Sequence, residues 1–161
     1  MYATQLGTAR DVSYLMDVLP ARYNLRLPLT FEVLGVSLGG HAALLSMAND
    51  PRLSTCVSII GCADYIALMK ERKGIVMQDH FNPAFLSLVS RVDPIHNVSA
   101  FRNKNVFIAQ GADDGLVPPH CNEKFYESIK GITSKITLRN YPGMAHQVSP
   151  QMLQDIYSWL E

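Results

Sequence analysis

Apolar residues along the chain switch between two periods. Val12, Leu15, Met16 and Leu19 recur at helical spacing up to Pro20, and Thr8 with Asp11 three residues later resembles a capping box opening that helix. Phe31–Val36 is a short, mostly apolar run read as a buried strand, and it leads directly into the glycine-rich turn around Ser37. Leu38–Met47 reads as the next helix, stopping before Asn49-Asp50-Pro51. Leu53–Ile60 is a second strand, rich in β-branched residues and closed by Gly61. Residues 62–104 are less regular. Asp64–Arg72 predicts a helix with Tyr65, Leu68 and Met69 on one face, and Phe81–Val92 holds another helical stretch behind Asn82-Pro83. The alternation then resumes with a third strand at Val106–Gln110 and a helix around Asn122–Lys130 that Gly131 stops. A half-exposed edge strand follows at Lys135–Tyr141. The last helix starts at Ser149-Pro150, and Leu153, Ile156, Tyr157 and Leu160 form its expected buried stripe.

Strands alternating with helices predict an α/β fold with about four parallel strands flanked by helices, and 161 residues suit a single domain spanning 1–161. The irregular stretch 62–104, between two sheet strands, has the place and size of a small lid over a site. Lys plus Arg and Asp plus Glu both number 14, so no charge steers the chain toward nucleic acid or an anionic membrane. No apolar run reaches the length of a membrane span, and the N-terminal residues lack a signal-peptide pattern. Cys56, Cys62 and Cys121 are odd in number and lack metal-ligand spacing. They are expected to be buried free thiols, which points to a reducing, cytoplasmic setting.

Three segments carry chemistry. In Gly35-Val36-Ser37-Leu38-Gly39 a serine stands on a strand-to-helix turn, where its hydroxyl can be presented to a base. The flanking glycines let strand and helix crowd together, and the Leu38 N–H points to where an oxyanion would form. Gly111-Ala112-Asp113-Asp114-Gly115 follows the third strand, so it places a carboxylate at the same sheet edge. Gly143-Met144-Ala145-His146 follows the fourth strand and places there a histidine able to take the serine proton.

GVSLGGHAAL, GADDGLVPP and YPGMAHQVSP, in this order, resemble the three catalytic segments of the α/β-hydrolase superfamily. The segments resemble those of its esterase, dienelactone-hydrolase or prolyl-oligopeptidase-like members, and the likeness covers nearly the whole chain. The resemblance implies a serine hydrolase with Ser37 as nucleophile, His146 as base and Asp114 as acid. Asp114 is preferred because the family's acid usually stands three residues before the Val of a Val-Pro pair, here Val117-Pro118. Asp113 and Asp64 are the alternatives. It implies a small-molecule carboxylic ester or related acyl substrate, with an oligopeptidase-type peptidase or a non-catalytic fragment as rivals. Superfamily members normally have about four strands before the elbow, with a second oxyanion donor after the third, often in an HG-type motif. Residues 1–36 offer one helix and no such motif. The expectation is therefore a C-terminal portion of the fold, with Phe31–Val36 as an open edge prone to self-association.

The remaining histidines are weaker candidates. His41 is expected to pack on the elbow helix, His80 and His96 to lie in the lid, and His120 to start a helix or face solvent. No HExxH, phosphate-loop or dinucleotide pattern occurs, so neither metal nor cofactor is expected.

Overall fold

The computed structural model describes residues 2–26, 28–72 and 82–161. Four strands, β1 (Phe31–Val36), β2 (Leu53–Ile59), β3 (Asn105–Gly111) and β4 (Lys135–Tyr141), form one parallel sheet in the order β1-β2-β3-β4. Among the described residues the helices are α1 (Tyr2–Arg22), α2 (Leu38–Asn49), α3 (Tyr65–Glu71), α4 (Pro83–Val92), α5 (His120–Ile129) and α6 (Pro150–Leu160), with two short 3-10 turns at Pro94–His96 and Val98–Phe101.

Side-chain alternation along β2 and β3 divides the core between the two sheet faces. Cys56, Val106 and Ile108 point to one face, where they meet Met16 of α1, Leu44 and Met47 of α2, and Phe125 and Ile129 of α5. Val57, Ile59, Phe107 and Ala109 point to the other, where Met152 and Ile156 of α6 cover them. Each large aliphatic side chain so buried contributes about 1.5–3 kcal/mol relative to exposure. α2 is buried almost all round from Gly40 to Met47, as expected for a helix held between a sheet and other helices. A third cluster joins Tyr2 of α1 to Tyr65, Leu68 and Met69 of α3, Val89 of α4, and Val117 and Cys121.

Several expectations are corrected. α1 begins at Tyr2, so Thr8 lies inside the helix, its hydroxyl donating to the Thr4 carbonyl 3.0 Å away instead of capping an end. Pro20 does not end that helix. It sits in the last turn, two residues before Arg22. β1 is half-exposed, not buried: Val33 faces the core while Leu34 is 54% exposed. On α6 the buried stripe is Met152 and Ile156, with Trp159 partly covered, whereas Leu153, Tyr157 and Leu160 are exposed. The α3 face came out as expected. β4 is a half-exposed edge strand, as expected. All three cysteines are free and buried. Of the stretch 62–104, residues 73–81, including His80 and Phe81, lie outside the described residues.

Candidate active site

The register of the sheet sets the site. Val36 lies beside Ile59, Ile59 beside Ala109, and Gly111 beside Tyr141, so the carboxyl ends of the strands form one row. The loops leaving that row therefore open at the same edge, where α/β folds place their ligands. Ser37 leaves β1, Asp114 follows β3, and His146 follows β4.

Ser37 occupies the junction between β1 and α2 with φ 55° and ψ −115°. A non-glycine residue in such a conformation costs about 1–3 kcal/mol and is held by its surroundings. Two features hold it. The Ser37 N–H donates to the Ile59 carbonyl at 2.8 Å. Gly35 also permits a close crossing: a Cβ there would stand 1.9 Å from the Gly39 carbonyl oxygen. The glycine needed on the helix side is Gly40, which packs against Gly61 and the Ser58 hydroxyl, and not Gly39, around which there is open space. Serine is a favoured helix cap, yet the Ser37 side chain makes no cap hydrogen bond. Its Oγ instead lies 2.7 Å from His146 Nε2.

On the other side of the ring, His146 Nδ1 lies 2.7 Å from Asp114 Oδ2. Asp114 is buried, and its second oxygen accepts from the Leu116 and Val117 N–H groups at 2.8 and 2.9 Å. The loop carrying His146 presses onto the end of β3, where a Cβ at Gly111 would stand 2.3 Å from the Met144 carbonyl oxygen. A carboxylate, an imidazole and a hydroxyl thus form a continuous hydrogen-bonded chain from buried to partly exposed.

Neither alternative acid is hydrogen-bonded to His146. Asp113 is exposed, and its backbone N–H donates to Met144. Asp64 caps α3 by accepting from Ala67 N at 2.9 Å. Leu38 is the first residue of α2, so its N–H has no intrahelical partner. His120 starts α5, exposed, with Nε2 3.6 Å from Glu71 Oε1. His96 and His120 line a separate cavity of about 580 Å³ between α3, α4 and α5, which none of Ser37, Asp114 and His146 reaches. His41 is buried as expected, but its carboxylate partner was not foreseen: Nε2 lies 3.0 Å from Asp93 Oδ1. Burial pushes the Cys56 and Cys62 thiols up, so neither is a competing nucleophile at neutral pH. Among the described residues there is no His, Cys, Asp or Glu cluster suited to a metal ion, and no helix long and apolar enough to cross a membrane.

A parallel sheet covered on both faces, with a serine on the strand-to-helix turn at its carboxyl edge, is the α/β-hydrolase fold. Residues 8–161 match the prolyl oligopeptidase family (Peptidase_S9), and the chain belongs to that family. Among solved structures it is similar to TT1662 from Thermus thermophilus (22% identity, TM-score 0.79, covering 99% of this chain and 63% of that one). It is also similar to the acylaminoacyl peptidase of Pyrococcus horikoshii (12%, TM-score 0.75, 89% and 24%). A third likeness is to acetyl xylan esterase 1 from Thermoanaerobacterium sp. JW/SL YS485 (20%, TM-score 0.63, 80% and 43%). The chain thus spans 63% or less of the length of these three relatives. No curated protein sequence matches it.

Proposed function

We propose that this chain carries the catalytic residues of a serine hydrolase that cleaves a carboxylic ester or related acyl bond through an acyl-enzyme. The reading is carried by the unbroken chain Asp114–His146–Ser37, with both links at 2.7 Å. Ser37 Oγ attacks the acyl carbonyl while His146 Nε2 takes its proton. Asp114 fixes the ring orientation and stabilises the imidazolium. The Leu38 N–H, at the positive end of α2, helps hold the oxyanion. His146 then returns the proton to the leaving group, and a water activated by the same ring releases the acid. The stretch between β2 and β3 serves as a lid, with α3 and α4 as its described parts. The three unpaired, buried thiols suit a reducing, cytoplasmic compartment.

Membership of the prolyl oligopeptidase family favours a second reading, cleavage of a peptide or aminoacyl amide by the same three residues. A fluorophosphonate probe with mass mapping tests the shared core: the adduct is expected on Ser37 and is expected to disappear in His146→Ala. An adduct on another residue, or no adduct and no Ser37-dependent turnover, would reject the mechanism. Paired 4-nitrophenyl esters and aminoacyl 4-nitroanilides then separate the two readings by kcat/KM.

A further inference from the structure

The loop that carries Asp114, residues 112–119 between β3 and α5, is fastened differently at its two ends. Near its start the Ala112 N–H donates to the Tyr141 carbonyl and the Asp113 N–H to the Met144 carbonyl, both at 2.9 Å. These bonds tie it to the end of β4 and to the loop carrying His146. Asp114 moves with the residues that follow it, because its Oδ1 accepts from the Leu116 and Val117 N–H groups. Pro118 and Pro119 then have no N–H to donate, so this end of the loop is held through carbonyl oxygens. The Leu116 carbonyl accepts from Nε of Arg72, the C-cap of α3, at 3.2 Å. The Pro119 carbonyl accepts from Gln110 Nε2, also at 3.2 Å. Gln110 stands in β3 one residue before its end and is buried, so its side chain closes the loop back onto the strand the loop left.

Backbone partners fix which way both amides of this network point. Asn122 of α5 is fully buried and faces the segment just after β2. The Ala63 N–H can only donate, so it meets Asn122 Oδ1, at 3.0 Å, and the Gly61 carbonyl can only accept, so it meets Nδ2, at 2.9 Å. The same Nδ2 donates to Gln110 Oε1 at 2.9 Å. That leaves Gln110 Nε2 to donate to the Pro119 carbonyl and to Asn140 Oδ1, the latter at 2.5 Å. Neither amide titrates, so the arrangement holds at any pH the fold survives. The end of β2 also holds the nucleophile, since the Ser37 N–H donates to the Ile59 carbonyl. The network therefore runs from beside the Ser37 turn, through Asn122 and Gln110, to the far end of the loop bearing Asp114.

Resting on the hydrolase reading above, we propose that Gln110 is a positioning residue of the reaction: by holding the Pro119 carbonyl it keeps the loop closed on β3, and so keeps Asp114 Oδ2 in line with His146 Nδ1. Among the described residues Gln110 hydrogen-bonds to none of Ser37, Asp114 and His146, and it acts through the loop backbone. Without its donor the far end of the loop loses its tie to β3 while the near end stays tied to β4. The carboxylate then shifts relative to the imidazole, and a displacement of about 1 Å in such a constellation can cost about 10²-fold in rate.

The test is Gln110→Met, which keeps the length of the side chain and removes its donor and acceptor. Intact sites are counted by complete fluorophosphonate labelling of Ser37, so turnover is expressed per site and any misfolded fraction drops out. On a 4-nitrophenyl ester kcat per site is expected to fall about tenfold or more, with KM changed less than about twofold. The imidazole N–H proton resonance of the His146–Asp114 hydrogen bond is expected to move. Asn140→Ala removes the other acceptor of Gln110 Nε2 and leaves the Pro119 bond, so it is expected to keep kcat within about twofold. If Gln110→Met does not fold, Gln110→Asn carries the same comparison, since it keeps the amide and shortens its reach by one methylene. Unchanged kcat per site, or a loss confined to KM or to the number of sites, overturns the proposal. A wild-type chain without Ser37-dependent turnover rejects the hydrolase reading instead. The His146 resonance then decides alone: a shift in the Gln110 variant upholds the positioning role, and no shift overturns it.

Discussion

Asp113 and Asp114 are neighbours with opposite surroundings. Asp114 is buried and gives one oxygen to two backbone N–H groups and the other to His146. Asp113 points into solvent. Removing the Asp114 charge takes away the imidazolium's stabilising partner and can reverse the ring tautomer. On the proposed mechanism Asp114→Asn lowers kcat by roughly 10³–10⁴, while Asp113→Asn changes it less than about threefold, as an exposed substitution should. Steady-state ester hydrolysis by the two variants checks this, and a larger loss at Asp113 would mean the acid is misassigned. The three residues of the chain were readable one by one because each belongs to a local pattern at a strand end. Asp93 and Gln110 had no such signal. Asp93 meets Tyr2, His41 and Tyr65 across separations of 91, 52 and 28 residues, and only the folded chain brings such pieces together.

At the level of elements, periodicity located the helices and strands but did not choose their faces. On α6, Leu153, Tyr157 and Leu160 repeat at helical spacing, but so do Met152, Ile156 and Trp159, and the sheet can accept only one of these stripes. Phe31–Val36 is apolar on both faces, yet only the Val33 face is packed. The sequence likewise did not show how α1 is fastened to the rest. Arg52 does this: it forms an ion pair with Asp17 of α1, donates to the Ser13 carbonyl, and pairs with Asp50, the C-cap of α2, at 2.7 Å. Hydrogen bonds from Arg52 hold the Asp50 carboxyl at about 2, below its ordinary 3.8. Because the folded value is the lower one, the pair's contribution is complete above the unfolded value and is lost as pH falls through the folded one. Thermal melts should therefore show a loss of stability between about pH 4 and pH 2 that is smaller in Asp50→Asn. Identical pH dependence in both proteins would mean that the Asp50–Arg52 pair adds nothing to stability.

Over the whole molecule, the two sheet edges differ in how they meet solvent. β4 presents Lys135, Arg139 and Asn140, the charged and polar side chains that discourage strand addition. β1 has one charge, Glu32, and pairs only with β2 among the described residues. Leu34 is exposed on its outward face, in a groove bordered by Leu160 of α6, and Val36 is exposed two residues further on. An apolar edge with unpaired backbone groups is a template for another strand, and a second copy of the same chain supplies one. The 161-residue chain is therefore expected to self-associate reversibly, with a weight-average mass that rises with concentration in sedimentation velocity. Leu34→Lys places a charge at an exposed position of that edge, disturbs little of the core, and should shift the distribution toward monomer. A wild-type chain that stays monomeric at every concentration, or a Leu34→Lys variant that associates equally well, would show that β1 is not the contact.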